Sequence, residues 1–275
     1  MTGLQPPDIH PHRVRVWLAA MVFAALAPIA ARVSWLAYDD VRAIDERTAT
    51  ELQRGASDFA QSVNRELGSS LDALAVLSQS EIFQQGRIAA MGRLLHGRPR
   101  RDWDSIFLLD PQGAVVLDTG QHPTPPELLK EIHAAAMRKL APAVSGVGKQ
   151  TGIAIGMPVM QGDHARYVLG ARLSDSVWAR LAGNASLPEQ GQVRLFDAQA
   201  HLISQSGELR EPVYAEWNTV PASNWVVRVA VPAAPVDAQR RRVILHALAT
   251  GGVALLAGLA LAAFIGWAIV RRAGL

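Results

Sequence analysis

The feature that most constrains the fold is an apolar run near the C-terminal end, from Val243 to Val270, that contains no Asp, Glu, Lys or Arg. A helix needs about 20 apolar residues to cross a bilayer core. A run of this length and uniformity is rare inside a water-soluble domain, so it predicts a transmembrane helix over 243–270. The run contains four glycines, at Gly251, Gly252, Gly258 and Gly266. Such small residues either face lipid or allow a second helix to approach closely.

A second apolar run, Val16–Leu36, lies near the N-terminus and is also long enough to span a bilayer. Arg32 is close to one end, where its guanidinium can reach the interface, and Trp35 and Tyr38 occupy the position of interfacial aromatic residues. A cleaved signal peptide is the alternative interpretation. Because the pattern continues directly into a further helix, we interpret 16–36 as a retained transmembrane helix.

The flanking arginines predict the orientation of these two helices. Arg13 and Arg15 precede the first span, and Arg271 and Arg272 follow the second. The positive-inside rule therefore places the tails 1–15 and 271–275 in the cytoplasm and the region 37–242 outside. The arginines at 240–242 favour the opposite orientation, because they adjoin the outer end of the second span.

Two segments between the spans are versions of one hairpin. Ile106–Gly120 and Val193–Gly207 align without a gap, and each has apolar strands around a turn that begins with Asp. Each is followed later by an aromatic-led strand and a helix start. The sequence therefore predicts two copies of one module. Asp110 and Asp197 could form a carboxylate pair, but an Asp before a turn usually bonds its own backbone, and we interpret both as turn residues.

Helical periodicity covers much of the remaining sequence. From Tyr38 to Ser78, apolar residues recur at spacings of three and four, which predicts one long helix, assigned to 37–80. Other predicted elements are helices over 81–95, 127–140 and 174–183, the last capped by Ser174 or Asp175, and strands over 151–160, 165–173 and 225–231. The segment 207–224 is rich in turn residues and is predicted to be a loop. A short linker containing Pro232 and Pro235 is predicted to lead into the second span.

Composition and motifs argue against catalysis. The chain has no cysteine, which excludes disulfides and thiol chemistry. His10 and His12 are the only histidines close enough in sequence to suggest a metal pair, and a solvated tail explains them better. The segment SGVGKQT lacks two positions of a phosphate-binding loop. Net charge is only +3 and the arginines are scattered, which does not favour nucleic acid. We expect neither an enzyme nor a cofactor, metal or nucleic-acid partner.

Five segments in a fixed order carry a resemblance to a known family. They are WDSIFLLDPQGAVVLDTG, GMPVM, YVLGARLSDSVWARL, VRLFDAQAHLISQS and NWVVRVAVPAAPV. In this order they resemble the double Cache extracytoplasmic sensors of bacterial histidine kinases, diguanylate cyclases and chemoreceptors. The resemblance implies an α/β (α+β) fold, with a long N-terminal helix and two PAS-like antiparallel-sheet modules between two transmembrane helices. It implies a membrane-distal module over 81–190 and a membrane-proximal module over 191–238.

Candidate ligand-binding residues lie on or beside the strands predicted for the distal module. They are Trp103, Phe107, Asp118, Met157, Tyr167 and Arg172. Arg172 is the strongest candidate, because a guanidinium beside a cleft can bind a carboxylate in bidentate fashion. Strand alternation groups it with Arg166, Val168 and Gly170, opposite the apolar face, so it either binds a ligand or points to water. Trp103 and Tyr167 fit equally well as core aromatic residues.

The ligand class follows from a departure from the family pattern. Many amino-acid-sensing members carry an Arg-x-Trp-Tyr motif and a later Asp. Here Arg101–Trp103 is followed by Asp104 and precedes the first hairpin, while Arg172 occupies the place where many members have an Asp. We therefore expect a small organic acid as the ligand, rather than an amino acid.

The functional expectation is the input region of a transmembrane receptor, most simply a sensor histidine kinase of a two-component system. It would be a homodimer that crosses the cytoplasmic membrane twice and exposes 37–242 to the periplasm. The signal would pass through the second span to a cytoplasmic output domain, fused or in trans. The alternative is a membrane-anchored adaptor whose modules bind another protein. A polar cleft in the distal module favours sensing, and a filled, wholly apolar module favours the adaptor.

Overall fold

The computed structural model describes residues 11–81, 92, 100, 102–146, 152–207 and 213–272. The elements are α1 (Pro11–Ser78), β1 (Trp103–Leu109), β2 (Val115–Asp118), α2 (Pro126–Lys139), β3 (Ala143–Val144), β4 (Ile153–Gln161), β5 (His164–Leu173), α3 (Asp175–Gly183), β6 (Gln192–Phe196), β7 (Leu202–Gln205), β8 (Val213–Val220), β9 (Trp225–Pro232) and α4 (Ala233–Arg272). The chain divides into two compact units. One is Ala49–Pro232, and the other combines Met1–Thr48 with Ala233–Leu275.

Helix α1 supplies a buried apolar stripe to the Ala49–Pro232 unit. The stripe residues are Leu52, Ala56, Phe59, Val63, Leu67 and Leu74, each 0–3% exposed. Gly55 lies against the proximal sheet, since a Cβ atom there would be in ordinary contact, at 3.6 Å, with a methyl group of Val229. The predicted helix therefore ends where the periodicity ends, at Ser78, and its stripe packs within the chain.

The distal module is a five-stranded antiparallel sheet in the order β2-β1-β5-β4-β3. Helix α2 covers one face, which we call the α2 face. The side chains buried there are Phe107, Leu109, Leu128, Leu129, Ile132, Ala136, Ala154 and Val168. On the opposite face, the α1 face, the indole N–H of Trp103 donates to Ser70 Oγ of α1 at 3.3 Å. The sheet is therefore enclosed between two helices.

The proximal module is a four-stranded antiparallel sheet in the order β7-β6-β9-β8. The prediction of a loop over 207–224 is wrong for its middle part, because Val213–Val220 forms strand β8 and pairs with β9 along its whole length. The turn residues around VYAEWNTV suggested a loop, whereas pairing with the apolar strand β9 determines its structure. Residues 208–212 lie outside the described residues.

The smaller predicted elements are mostly confirmed. The helix predicted over 127–140 is α2, and the helix over 174–183 is α3, with Ser174 at its N-cap. The Ser174 hydroxyl makes no capping hydrogen bond and instead lies 3.0 Å from Ser176 Oγ. The helix predicted over 81–95 lies almost entirely outside the described residues.

The two hairpins agree down to individual hydrogen bonds. In both, Oδ1 of the Asp residue accepts from the backbone N–H groups two and four residues later. Asp110 accepts from Gln112 at 2.9 Å and from Ala114 at 2.8 Å. Asp197 accepts from Gln199 at 2.9 Å and from His201 at 2.8 Å. A hydroxyl directly after the second strand accepts from a backbone N–H of the first in each copy: Thr119 from Ile106 at 2.9 Å, and Ser206 from Val193 at 3.0 Å. This confirms both Asp residues as turn residues.

The repeat identifies a strained residue in the second turn. Ala200 has φ +66°, and its counterpart in the first turn is Gly113, with φ +87°. Left-handed backbone costs a residue with a Cβ atom about 1 kcal/mol relative to glycine. We therefore expect Ala200→Gly to stabilise the protein by up to about 1 kcal/mol in denaturant unfolding. Ala198→Gly is the control, because Ala198 is exposed in the same turn without a positive φ, and its replacement should be neutral or destabilising. Equal effects of both changes would contradict the strain assignment.

In the second unit, α1 and α4 pack against each other. A Cβ atom on Gly258 would lie 2.7 Å from Leu26 Cδ1, so the Leu26 side chain packs directly on the glycine. The Arg240 guanidinium Nε donates to Asp45 Oδ1 at 2.7 Å. Among the described residues, one helix is long and apolar enough to cross a membrane, over Ala233–Ile265. The predicted first span, 16–36, lies within α1 and remains a prediction.

The predicted linker before the second span is absent. Strand β9 ends at Pro232 and α4 begins at Ala233. Pro235 falls in the first turn of α4, where a backbone N–H has no helical partner and proline is well tolerated. The sequence suggested a linker because proline usually interrupts a helix, but here it lies at a helix start.

Candidate functional site

The six candidate residues divide between the two faces of the distal sheet. Asp118 is paired in register with Phe107, which belongs to the core beneath α2. Arg172 is paired with Ala154, another member of that core. Because side chains alternate along a strand, these three candidates share the α2 face. The remaining three, Trp103, Met157 and Tyr167, lie on the α1 face.

Arg172 lies near the end of β5, the central strand of the sheet. It is paired with Ser105 of β1 on one side and with Ala154 of β4 on the other. Its Nη2 atom is 3.7 Å from Asp104 Oδ2, and its side chain is 28% exposed. A partly exposed pair at this distance contributes only about 0–1 kcal/mol. Its Nε atom is buried and has no hydrogen-bond partner among the described residues. Arg172 therefore retains the capacity to bind a further acceptor.

Polar side chains cluster around Ser105, which is paired with Arg172 at this end of the α2 face. Ser105 Oγ lies 3.0 Å from Thr124 Oγ1, and both side chains are buried. Asp118 accepts from the backbone N–H of Gly120 at 3.0 Å and of Thr124 at 2.8 Å, so both of its oxygens hold the loop that carries Thr124. We call this set, comprising Asp104, Ser105, Asp118, Thr124 and Arg172, the polar end.

The rest of the α2 face is filled by apolar side chains. A Cβ atom on Gly170 would lie 2.3 Å from the Phe107 ring, so that ring occupies the space above the glycine. A Cβ atom on Gly156 would lie 2.7 Å from Ile132 Cγ1 of α2. Phe107 is 0% exposed and therefore forms a wall beneath the polar end.

The candidates on the α1 face contact the long helix or the surface. The Arg100 guanidinium lies 5.9 Å from the Trp103 ring centroid, and Met157 Sδ accepts from Ser78 Oγ at 3.7 Å. The Arg166 guanidinium lies 5.6 Å from the centroid of the Tyr167 ring. The contacts of Trp103 with Ser70 and of Met157 with Ser78 attach the sheet to α1. All three residues lie on the face opposite Arg172.

Sequence reasoning missed Ser105 and Thr124. Ser105 is a single hydroxyl next to the apolar run of β1, and Thr124 is in the loop after β2. A polar residue beside such a run is a weak signal for a buried hydrogen bond, but its partner 19 residues later is identified only by the fold.

No protein-family model matches this chain, and no curated protein matches its sequence. Solved structures do match it. The ligand-binding domain of the Pseudomonas fluorescens chemoreceptor CtaA, in complex with L-isoleucine, has a TM-score of 0.56 at 13% identity, covering 72% of this chain and 98% of that one. This chain has the fold of that ligand-binding domain. That confirms the fold expected from the resemblance.

Two further ligand-binding domains have the same fold. That of Campylobacter jejuni chemoreceptor Tlp3, in complex with L-valine, has a TM-score of 0.52 at 12% identity, covering 72% of this chain and 97% of that one. That of Pseudomonas aeruginosa PctB, in complex with L-Arg, has a TM-score of 0.52 at 12% identity, covering 68% and 96%. All three matched domains were solved with a small ligand and belong to chemoreceptors.

Proposed function

We propose that this chain is the ligand-sensing input region of a bacterial transmembrane receptor, and that its polar end binds a small organic acid. The observation that carries the proposal is the Arg172 guanidinium. It is partly exposed, and its ion pair with Asp104 is long. A guanidinium fork matches the geometry of a carboxylate, and such charge-assisted pairs are among the strongest hydrogen bonds in proteins.

The candidate residues then have different roles. Arg172 binds the carboxylate, Ser105 and Thr124 line the site, and Asp118 positions the loop above it. Phe107 provides an apolar wall. Trp103 and Met157 act indirectly, by holding the sheet on α1, and Tyr167 lies on the same face beside Arg166. The polar end supports sensing over the adaptor alternative, because a module built only to bind another protein needs no partly buried arginine beside a pair of hydroxyl groups.

A thermal-shift screen tests the proposal. The full chain in nanodiscs would be heated with small mono- and dicarboxylates and with amino acids. A ligand that binds only the folded state raises the melting temperature by mass action. We expect the largest rise from a carboxylate that lacks an α-amine. A rise with amino acids alone would contradict the ligand class, and no rise with any compound would favour the adaptor.

We further propose a two-pass topology in the cytoplasmic membrane, with 37–242 in the periplasm. The tight packing of Gly258 on Leu26 supports two adjacent spans, since small residues permit close helix approach in lipid. Reporter fusions after Leu275 and within 206–218 test the topology. A fluorescent reporter should be active at the first site, and alkaline phosphatase at the second. Phosphatase activity at the C-terminal site would contradict the model.

Signal transfer is proposed to run through α4 in a homodimer, to a kinase output fused or in trans. The support is the direct junction between Pro232 and Ala233. Inserting four Gly/Ser residues after Pro235, in a chain fused to a kinase output, should preserve ligand binding but abolish the response, because glycine destabilises the first turns of α4. An insertion of four alanines at the same place is the helix-compatible control. A normal response from the Gly/Ser chain would exclude rigid transfer through α4.

A further inference from the structure

A cluster of arginines lies on α4, directly before its apolar run. The cluster occupies 240–242, and the run begins at Val243. Arg240 donates to Asp45 of α1 at 2.7 Å. Arg241 and Arg242 are exposed, and neither forms an ion pair with another described residue. Because two neighbouring guanidinium groups repel each other, this arrangement favours an anion beside them.

Arg241 and Arg242 belong to a shallow groove of about 520 Å³ on the surface of α4, which we call the basic groove. It is lined by Ala238, Arg241, Arg242, Leu245, His246 and Ala249. The side of α4 that faces α1 is marked by Arg240, Gly251 and Gly258. With 3.6 residues per turn, the basic groove lies on the opposite side of the helix.

Contacts between α1 and α4 define the depth of the basic groove along the two helices. The helices are antiparallel in one constant register, shown by three pairs: Asp45 with Arg240, Val33 with Gly251, and Leu26 with Gly258. By this register, His246 is level with Tyr38. Tyr38 follows the predicted span 16–36, at the position of an interfacial aromatic residue. The two arginines therefore lie just outside the apolar layer, at the level of lipid headgroups.

The basic groove combines a phosphate-binding end with an apolar end. Arg242 and His246 are four residues apart on the helix, with Cβ atoms about 5–6 Å apart, so one phosphate group can contact both. A guanidinium fork binds two phosphate oxygens, and an imidazole N–H can donate to a third. Leu245, which is exposed, and Ala249 continue the groove toward the apolar layer. They provide a surface for the first methylene groups of an acyl chain.

We propose that the basic groove binds the headgroup of an anionic phospholipid. A phosphodiester without an amine, as in phosphatidylglycerol, brings the negative charge that Arg241 and Arg242 lack. A zwitterionic headgroup also carries an ammonium group, which these arginines repel. The site depends on the proposed insertion of α4 in a membrane. It does not depend on Arg172 or on the ligand of the distal module.

The test measures which lipid contacts the basic groove. Because the chain has no cysteine, a fluorophore can be attached at a single position, Leu248→Cys, which is exposed and adjoins Ala249. The labelled full chain is reconstituted in phosphatidylcholine vesicles with increasing brominated phosphatidylglycerol, which quenches the fluorophore on contact. Brominated phosphatidylcholine is the reference. An arginine near a lipid surface strengthens anion binding about 5-fold, so we expect phosphatidylglycerol to bind about 30-fold more tightly.

Variants assign this preference to the basic groove. A chain with both Arg241→Gln and Arg242→Gln should bind the two lipids about equally. Its melting temperature in pure phosphatidylcholine should not change, because both side chains are exposed. The matched control combines Arg54→Gln and Arg65→Gln, which remove the same charge from exposed positions of α1 beyond the predicted span. This control should keep the full preference.

Several outcomes would overturn the proposal. An equal preference in the parent chain and in the Arg241/Arg242 variant would show that these arginines do not hold the lipid. Loss of preference in the matched control would reduce the effect to net charge. Loss of quenching on adding about 10 mM inorganic phosphate at constant ionic strength would indicate a soluble ligand instead.

Two further measurements separate this site from its alternatives. Absence of quenching by either lipid would show that the basic groove is covered by protein, such as a second copy, and would overturn lipid binding. Alkaline carbonate extracts peripheral proteins from vesicles but not inserted ones. Release of the chain by carbonate would overturn the insertion of α4 and this site with it, while leaving the carboxylate site at Arg172 unaffected.

Discussion

Replacing Arg172 with glutamine is expected to weaken binding of the best carboxylate from the screen by about 100-fold, measured by calorimetry on the full chain. Truncating one partner of a desolvated, hydrogen-bonded charge pair costs about 2–5 kcal/mol in binding, and a 100-fold change lies within this range. The fold should survive, because the Arg172 side chain forms only a long, partly exposed ion pair with Asp104. The melting temperature without ligand should therefore change little.

Arg166→Gln is the matched control for this experiment. Arg166 is on the same strand, six residues away, but it is exposed and its guanidinium donates to Gln161 rather than facing the polar end. It should leave the affinity unchanged. If both substitutions weakened binding equally, the effect would be one of overall charge. If neither did, Arg172 would have no part in binding.

Gly170→Ala is expected to destabilise the protein by about 2–3 kcal/mol, which is the cost of overpacking a filled core. The new Cβ atom would lie 2.3 Å from the Phe107 ring and 2.8 Å from the backbone oxygen of Ile155. The ring can rotate away, but the backbone oxygen cannot. For a unit of this size, the melting temperature should fall by about 5–10 °C.

Two further variants identify the cause of that loss. Gly170→Ala combined with Phe107→Leu should recover part of the stability, since a smaller side chain relieves the ring contact but not the backbone contact. Gly68→Ala should stabilise α1 by up to about 1 kcal/mol through helix propensity, because no heavy atom lies within 4 Å of its added Cβ. Destabilisation by Gly68→Ala as large as that by Gly170→Ala would show that the effect is not steric.

Local patterns in the sequence predicted much of this fold. The long helix, α2 and α3 follow from apolar spacing and from turn residues at their ends. The strands β4 and β5 follow from residue type, and the hairpins from their Asp-led turns. Strand alternation also separated Arg172 from Tyr167 correctly. All of these signals depend on residues within one helical turn or one hairpin.

The features that the sequence did not reveal depend on distant partners. Strand β8 is a strand because β9 lies beside it, and the two-residue strand β3 is defined only by its pairing with β4. The hydrogen bond between Ser105 and Thr124 joins β1 to the loop after β2. The division of the six candidates between two covered faces depends on where α1 and α2 pack, which no local pattern specifies.

Strand β9 is paired on both sides, with β6 and with β8, up to the point where α4 begins. Sliding β9 by one residue would reverse every side chain, burying Arg228 against α1 and exposing Val227 to solvent. Hydrogen bonds on both edges would also have to break together. The strand therefore has no low-energy register other than the observed one. Any movement that reaches Ala233 must consequently be a movement of the whole proximal sheet, and its amplitude is set by the packing of that sheet rather than by the flexibility of a connecting segment.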